Sequence, residues 1–129
     1  MPEQLTVLVV DDDSEIVAAA TLRLQAAGYL TRSARDGKTG VALAAEYQPN
    51  AILLDVRMLP MDGLTALKEL KKRDETKHIP VVMLSASIVD QQAALEAGAR
   101  FFLKKPYLGD TLLRAVASAL ETSPTPSRS

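Results

Sequence analysis

The sequence contains no cysteine and no tryptophan, and only 4% of its residues are aromatic. The lack of cysteine excludes disulfide bonds and thiolate metal sites, and it suits the cytoplasm, where disulfides are rare. Few aromatic residues leave little material for platforms that stack nucleic-acid bases. A net charge of −1 provides no basic field for DNA or RNA. The composition therefore predicts a cytoplasmic protein without direct nucleic-acid binding.

Long hydrophobic runs are also missing. No apolar run approaches the roughly 20 residues of a membrane-spanning helix, and residues 1–4 are too short and too polar for a signal peptide. The 129 residues suffice for one domain with a hydrophobic core, but not for two. We therefore expect no membrane insertion and a single domain over residues 1–121. The Ser- and Pro-rich residues 122–129 are expected to form a disordered tail or the start of a linker.

Short apolar segments alternate with segments of helical periodicity. The apolar segments predict strands over residues 5–10, 30–34, 51–55, 81–85 and 101–106. The periodic segments predict helices over residues 16–27, 38–47, 64–72, 88–97 and 108–120, with Ile16, Ala20, Leu24 and Ala27 forming the apolar period of the first. This alternation indicates an α/β fold, a doubly wound five-stranded parallel sheet with helices on both faces. We expect the strand order 2-1-3-4-5 of flavodoxin-like (βα)5 sheets.

Four of the five predicted strands end in polar or charged residues that can take part in catalysis or ligand binding. Asp11 and Asp12 follow the first strand, Asp55 ends the third, Ser85 ends the fourth and Lys105 belongs to the end of the fifth. Open α/β sheets bind ligands at the carboxyl ends of their strands, so these side chains are expected to meet there. A helix cap accounts for one of the three consecutive aspartates at 11–13 and leaves two unexplained.

The charges of these residues indicate the chemistry. Carboxylates close together repel and raise one another's pKa. A hard cation such as Mg²⁺ relieves this repulsion and keeps positions for a phosphate. An aspartate can attack phosphorus and form an acyl phosphate, while the Lys105 ammonium and the Ser85 hydroxyl can bind the phosphoryl oxygens. The pattern predicts Mg²⁺-dependent phosphoryl transfer.

Four motifs occur in a fixed order along the chain: Val9-Val10-Asp11-Asp12-Asp13, Leu53-Leu54-Asp55 with Met61-Asp62-Gly63 after it, Met83-Leu84-Ser85-Ala86, and Lys105-Pro106. Each motif alone is a weak signal, but their order and spacing together are specific. With them the chain resembles the receiver (REC) domain of the two-component response regulators, over roughly residues 4–121.

The resemblance implies a role for each acidic position. Asp55 is the expected phosphoacceptor. A sensor histidine kinase or a histidine phosphotransfer protein is expected to donate the phosphoryl group. Asp12 is expected to bind Mg²⁺ directly, and Asp11 largely through water or by positioning. The backbone carbonyl of Arg57 would complete the protein ligands, with Asp55 itself at the metal.

The resemblance also implies a switch. Ser85 would contact the phosphoryl group and move with it, and Lys105 would pair with Asp55 or its phosphate, next to a cis Lys105–Pro106 bond. Phe102 occupies the aromatic switch position. Phosphorylation would remodel the face of the fourth helix, fifth strand and fifth helix for a downstream protein target. A monomer or a weak phosphorylation-dependent dimer is expected, without enzymatic turnover beyond self-phosphotransfer and slow autodephosphorylation.

The sequence departs from the family pattern in several places. The loop proline is Pro60, one residue later than usual, which affects the expected loop conformation. Serine replaces the commoner threonine at Ser85, and Phe102 replaces tyrosine, so it can be a switch or simply core. The sequence is compatible with two roles for Arg57, which can brace the loop or contact the phosphoryl region.

Two other functions fit the sequence less well. A haloacid-dehalogenase-type phosphohydrolase would use Asp11 as nucleophile and Asp13 two residues on, but Glu15 stands where Thr or Val is expected and no acidic pair follows Lys105. A binding module without phosphorylation is disfavoured by the intact set of Asp, Mg²⁺ ligands and Lys. Whether the receiver stands alone or was cut from a larger regulator or hybrid kinase stays open.

Some other charged residues are expected to be solvated. His78 has no His, Cys or acidic cluster around it in the sequence, so a loop residue is favoured over a ligand. Lys68, Lys71 and Lys72 are expected to face water on the third helix.

Overall fold

The computed structural model describes residues 4–59, 61–107 and 109–122, the last without its side chain. Its strands are β1 (Thr6–Val10), β2 (Leu30–Ala34), β3 (Ala51–Asp55), β4 (Val81–Ser85) and β5 (Phe101–Lys104). Its helices are α1 (Ser14–Ala26), α2 (Gly37–Tyr47), α3 (Gly63–Lys72), α4 (Asp90–Glu96) and α5 (Gly109–Thr122). The shifted Pro60 and the tail predicted after residue 122 lie outside the described residues.

The strands form one parallel sheet in the order β2-β1-β3-β4-β5, which confirms the predicted doubly wound α/β fold. Every residue of β3 and β4 is buried, because both strands have neighbours on each side and helices over each face. The polar strand β2 forms one edge of the sheet, where Leu30, Arg32 and Ser33 are exposed.

The sheet separates two hydrophobic layers, since successive side chains of a strand point to opposite faces. Val7 and Val9 of β1 pack in the layer that contains buried residues of α1 and α5. Leu8 and Val10 pack in the layer that contains buried residues of α2, α3 and α4. Both faces of the sheet are therefore covered by helices.

Aspartate caps three of the helices: Asp13 begins α1, Asp36 begins α2 and Asp62 begins α3. Each carboxylate accepts a hydrogen bond from a backbone N–H of the first turn, where negative charge is favourable. Capping of α1 by the acidic run is therefore confirmed, and the cap is its third aspartate.

The inward face of α1 differs from the predicted one. Val17, Ala20 and Leu24 are buried, whereas Ile16 is only half-buried and Ala27 is the exposed C-terminal cap. The predicted period started one residue early, since Ile16 and Val17 are equally apolar and only packing against the sheet selects between them.

The fourth helix is shorter than predicted, because α4 begins at Asp90 and not at residue 88. Upstream of it, the Ser85 hydroxyl accepts a hydrogen bond from the Ser87 N–H at 3.1 Å, and the Ser87 hydroxyl accepts one from the Val89 N–H at 3.4 Å. Such local side-chain bonds compete with helical backbone bonds and hold a turn.

The fifth strand also ends earlier than predicted, at Lys104, so that Lys105 and Pro106 follow the strand. Proline has no N–H with which to continue a ladder. The Lys105–Pro106 bond is cis, as the family resemblance implied.

Lys71 does not face water as predicted. Its Nζ donates hydrogen bonds to the backbone carbonyls of Lys77 at 3.1 Å and Ile79 at 3.2 Å. Its aliphatic stem lies against Gly98, and burial lowers the pKa of its ammonium. The long apolar stem of lysine explains this half-buried position. Lys68 and Lys72 are exposed as predicted, and so is His78.

None of the helices in the described part of the chain combines the length and hydropathy that a membrane crossing requires.

Gly63 allows the loop after β3 to return closely to the strand. Its N–H donates to the carbonyl of Val56 at 2.8 Å. A Cβ atom on Gly63 would collide with the backbone carbonyl of Asp55. The glycine of Met61-Asp62-Gly63 is thus required by backbone contact directly beside a predicted site residue.

We expect Gly63→Ala to lower the free energy of unfolding by about 3 kcal/mol, because the clash is with backbone that cannot move alone. The measurement is urea denaturation. Gly109→Ala is the matched control, since Gly109 also begins a helix but its Cβ would meet only the flexible guanidinium end of Arg23. Equal stability of the two variants would contradict the packing argument.

Candidate functional site

The loop after β1 supplies two carboxylates that do not cap α1. Asp13 Oδ1 accepts the N–H groups of Glu15 and Ile16, so the cap is complete without its neighbours. Asp11 is 1% exposed, and its Oδ1 accepts the N–H of Asp13 at 3.0 Å. Asp12 is exposed at the rim of the site. The two aspartates left unexplained by capping therefore lie at the carboxyl edge of the sheet.

Asp55 and Lys105 meet at the centre of this edge. Asp55 ends β3 and is 4% exposed. Lys105 Nζ donates to Asp55 Oδ1 at 2.8 Å and to Asp11 Oδ2 at 3.0 Å. One ammonium thus joins the carboxylates that follow two adjacent strands, through charge-assisted hydrogen bonds.

Asp11, Asp12 and Asp55 form an acidic cluster. Each can place one carboxylate oxygen within 4.8 Å of the others. Among the described residues, the one ammonium that forms ion pairs with this cluster is that of Lys105, so three carboxylates face one cation and negative charge is in excess. Oxygen ligands of this kind and charge suit a hard divalent cation.

The pKa of Asp55 is raised above its usual value near 3.8. Burial is the main cause; the charges of Asp11 and Asp12 add to it, and the hydrogen bond from Lys105 opposes it. Burial acts to lower the pKa of Lys105, but its hydrogen bonds to Asp55 and Asp11 outweigh burial and raise it. Lys105 therefore stays an ammonium ion, and it lies beside a carboxylate, Asp55, whose ionisation is disfavoured by burial.

Ser85 is fully buried at the end of β4, next to β3. Its hydroxyl donates to Asp90 Oδ2 at 2.6 Å and accepts the N–H of Ser87 at 3.1 Å. The single hydroxyl proton is thus engaged by Asp90, the first residue of α4.

Arg57 forms a two-pronged ion pair with the same aspartate. Its Nε lies 3.0 Å from Asp90 Oδ2 and its Nη2 lies 3.1 Å from Asp90 Oδ1. The guanidinium lowers the pKa of Asp90, and the Ser85 hydroxyl contributes to this. The ion pair joins the loop after β3 to the start of α4, as a brace would, while contact of Arg57 with the phosphoryl region stays a prediction. Sequence reasoning missed Asp90, whose one signal is an acidic residue in a first helical turn.

Phe102 is half-buried in β5 and packs against the core layer below α4. It therefore contributes to the core, while its predicted role as a switch stays a prediction. The loop over the site has Met58 buried and Leu59 82% exposed. Its unusual Pro60 lies among the residues that are not described.

A model of the response regulator receiver domain matches residues 7–117. The chain belongs to this family. Receiver domains are signalling modules of two-component systems, so the match disfavours the phosphohydrolase alternative.

Individual receivers agree with this assignment. The chain is 36% identical over 116 residues to the DNA-binding dual master transcriptional regulator RpaA of Synechocystis sp., which covers 88% of this chain and 48% of RpaA. Chemotaxis protein CheY4 of Vibrio cholerae is 32% identical with a TM-score of 0.85, over 92% of this chain and 100% of CheY4. The chain spans about half the length of curated relatives such as RpaA.

A third relative carries a metal. The receiver domain of sensor histidine kinase PA1611 from Pseudomonas aeruginosa PAO1 has a magnesium ion coordinated in its active-site cleft. It is 25% identical, with a TM-score of 0.86 over 93% of this chain and 100% of that domain. The receiver described here has the same fold and presents an acidic cluster of Asp11, Asp12 and Asp55.

The raised pKa of Asp55 predicts a pH-dependent cost of ionisation. Folding disfavours the charged carboxylate, so stability is lost as pH rises from below 3.8 through the raised pKa of the folded state. We expect Asp55→Asn to raise the melting temperature of the metal-free protein by a few degrees at pH 7. The gain should shrink as pH falls through the folded pKa, because wild-type Asp55 is then neutral too.

Thermal unfolding between pH 3.5 and 7.5 measures this difference. Asp74→Asn is the control, because Asp74 is 95% exposed and pairs only with an exposed lysine, Lys77. A gain from Asp55→Asn that does not change with pH would contradict the stated cause.

Proposed function

We propose that this receiver accepts a phosphoryl group on Asp55 in a reaction that depends on Mg²⁺. The observation that carries the proposal is the position of the Asp55 carboxylate, which is 4% exposed, 2.8 Å from Lys105 Nζ and part of the three-carboxylate cluster. A carboxylate held on a strand end, beside a cation and an acidic cluster, is suited to attack phosphorus.

In the proposed step, one oxygen of Asp55 forms a bond to phosphorus. The bond from phosphorus to the donor breaks, and its electron pair leaves with the donor. A phosphohistidine of a histidine kinase or phosphotransfer protein releases its imidazole, which takes up one proton. A small acyl phosphate releases a carboxylate and needs no proton. The product is an aspartyl phosphate.

Mg²⁺ fits the residues at the site, because the cluster of Asp11, Asp12 and Asp55 carries more negative charge than Lys105 balances. These three side chains and the backbone carbonyl of Arg57 would hold the ion. When bound, the ion supplies positive charge that lowers repulsion between the carboxylates and an incoming phosphate. The magnesium ion of the PA1611 receiver supports this assignment.

Lys105 and Ser85 would bind the transferred phosphoryl group. The Lys105 ammonium already contacts Asp55. After transfer it would bind the negatively charged oxygens of the phosphoryl group. The Ser85 hydroxyl would donate to a phosphoryl oxygen from the neighbouring strand. Because phosphoryl transfer is accelerated mainly by positioning and electrostatics, these two groups need only be placed correctly.

The phosphorylated receiver would signal through the face of α4, β5 and α5, with Ser85 and Phe102 as moving parts. Exposed apolar residues at the start and side of α4 offer contacts to a protein target: Ile88, Val89 and Leu95. The receiver would work in the cytoplasm as a monomer or a weak phosphorylation-dependent dimer, alone or as part of a larger regulator or hybrid kinase. It acts as a phosphoacceptor, with slow autodephosphorylation and no turnover of other substrates.

Incubation with a small acyl phosphate and Mg²⁺ should add one phosphoryl group, detected by intact-protein mass spectrometry. The label should disappear in Asp55→Ala and when Mg²⁺ is chelated, because the acceptor oxygen or the charge compensation is then missing. Asp74→Ala, an exposed carboxylate remote from the cluster, should label like the wild type. Persistent labelling of Asp55→Ala would reject Asp55 as the acceptor.

Mg²⁺ should also stabilise the fold in the absence of phosphate. At a concentration about 100 times its dissociation constant, the ion would add about 2.7 kcal/mol, visible as a rise in melting temperature. Asp12→Asn should abolish most of this rise, because Asp12 is an expected direct ligand.

Asp13→Asn provides the matched control, one residue away and with the same change in charge. Asparagine also caps helices well, so α1 should persist and the response to Mg²⁺ should remain. An equal loss in both variants would argue against a specific site at Asp12.

A further inference from the structure

We propose that Asp90 is a positioning residue that withholds the Ser85 hydroxyl from the acceptor in the unphosphorylated receiver, with Arg57 holding Asp90 in place. We call the set Ser85, Asp90 and Arg57 the Asp90 bridge. The inference rests on the proposed function, in which Ser85 donates to the phosphoryl group on Asp55. It adds what the hydroxyl does before phosphorylation and which residue it must leave.

The Ser85 hydroxyl has a single proton to donate. A serine hydroxyl is one donor, and here it donates to Asp90 Oδ2 at 2.6 Å. The hydroxyl oxygen meanwhile accepts the Ser87 N–H. Ser85 can therefore donate to a phosphoryl oxygen only after it leaves Asp90. A hydroxyl bonded to a carboxylate is held more strongly than one bonded to a neutral group.

Arg57 fixes the acceptor of this hydrogen bond. Its two contacts, at 3.0 and 3.1 Å, engage both oxygens of Asp90. The Asp90 side chain is only 12% exposed, although the Arg57 side chain is 64% exposed. A two-pronged pair restrains the carboxylate in orientation as well as in distance. Asp90 thus presents Oδ2 to Ser85 in a defined direction.

The Asp90 bridge also links three segments of the fold. Ser85 ends β4, Asp90 is the first residue of α4 and Arg57 lies in the loop after the acceptor strand β3. Helix α4 is weakly anchored otherwise: Ala94 is its one buried residue, and its cap position Val89 makes no side-chain cap bond. Transfer of Ser85 to a phosphoryl group would therefore remove one of the few restraints at the start of α4.

These contacts predict a population shift. The receiver is competent for the full set of phosphoryl contacts only while Ser85 is free of Asp90, so the bridge lowers the competent fraction. Weakening the bridge should speed phosphorylation, whereas removing a residue that assists catalysis would slow it. The direction of the change separates the two roles.

The test compares rates of Asp55 labelling by a small acyl phosphate at saturating Mg²⁺. Asp90→Ala should label about threefold to tenfold faster than the wild type, since a hydrogen bond to a charged group no longer competes for Ser85. Arg57→Gln should change the rate in the same direction, by less, because the Ser85–Asp90 bond survives it. Asp74→Ala and Arg73→Gln remove exposed charges of the same types and should leave the rate unchanged.

A double-mutant cycle tests whether the effect passes through Ser85. In a Ser85→Ala background there is no hydroxyl to release, so adding Asp90→Ala should change the rate by less than about twofold, and the two substitutions should therefore be non-additive. The same acceleration with and without Ser85 would mean that Asp90 acts by general charge repulsion, and would overturn the proposal. Thermal unfolding confirms that each variant is folded.

The outcomes separate the two proposals. If the wild type does not label at Asp55, the proposed function fails. If the wild type labels and Asp90→Ala labels at the same rate or more slowly, only the inference about Asp90 fails. Faster labelling that requires Ser85 supports both.

Discussion

The rest of the site depends on the ammonium of Lys105, which lies 2.8 Å from Asp55 and 3.0 Å from Asp11. Two nearly fully buried carboxylates without a cation would be strongly destabilising. The sheet order makes the contact possible, because β1 and β3 are neighbours and place both carboxylates at one edge. Lysine can reach them from the end of β5 because of its long side chain. The ion pair thus joins the ends of three strands.

Lys105 does not neutralise the whole cluster, and this imbalance gives the site its chemistry. Asp12 remains exposed at the rim, while Asp55 has a raised pKa because it is buried among like charges. The unpaired negative charge would attract a cation to the rim. The bound cation would in turn attract a phosphate that the carboxylates alone repel. The residues expected to make the metal-free fold less stable are therefore the same ones on which the proposed phosphoryl transfer depends.

The polar groups at this edge are divided between two networks. One contains Asp11, Asp55 and Lys105, and the other contains Arg57, Asp90 and Ser85. The acceptor and the hydroxyl expected to serve it lie on adjacent strands but in different networks. The proposed response to phosphorylation is an exchange of hydrogen-bond partners between these networks, and it would involve Asp90, the first residue of α4.

The sequence by itself determined the strands, the edge position of β2 and the placement of Asp11, Asp55 and Ser85 at strand ends, because apolar runs and their polar ends are local patterns. Only the tertiary structure decided the partner of Arg57, which is 33 residues away in the chain. It also decided the burial of Lys71 and the late start of α4 at Asp90. Periodicity shows which face of an element is buried, whereas a hydrogen bond between side chains of different elements depends on distances that exist only after the elements pack.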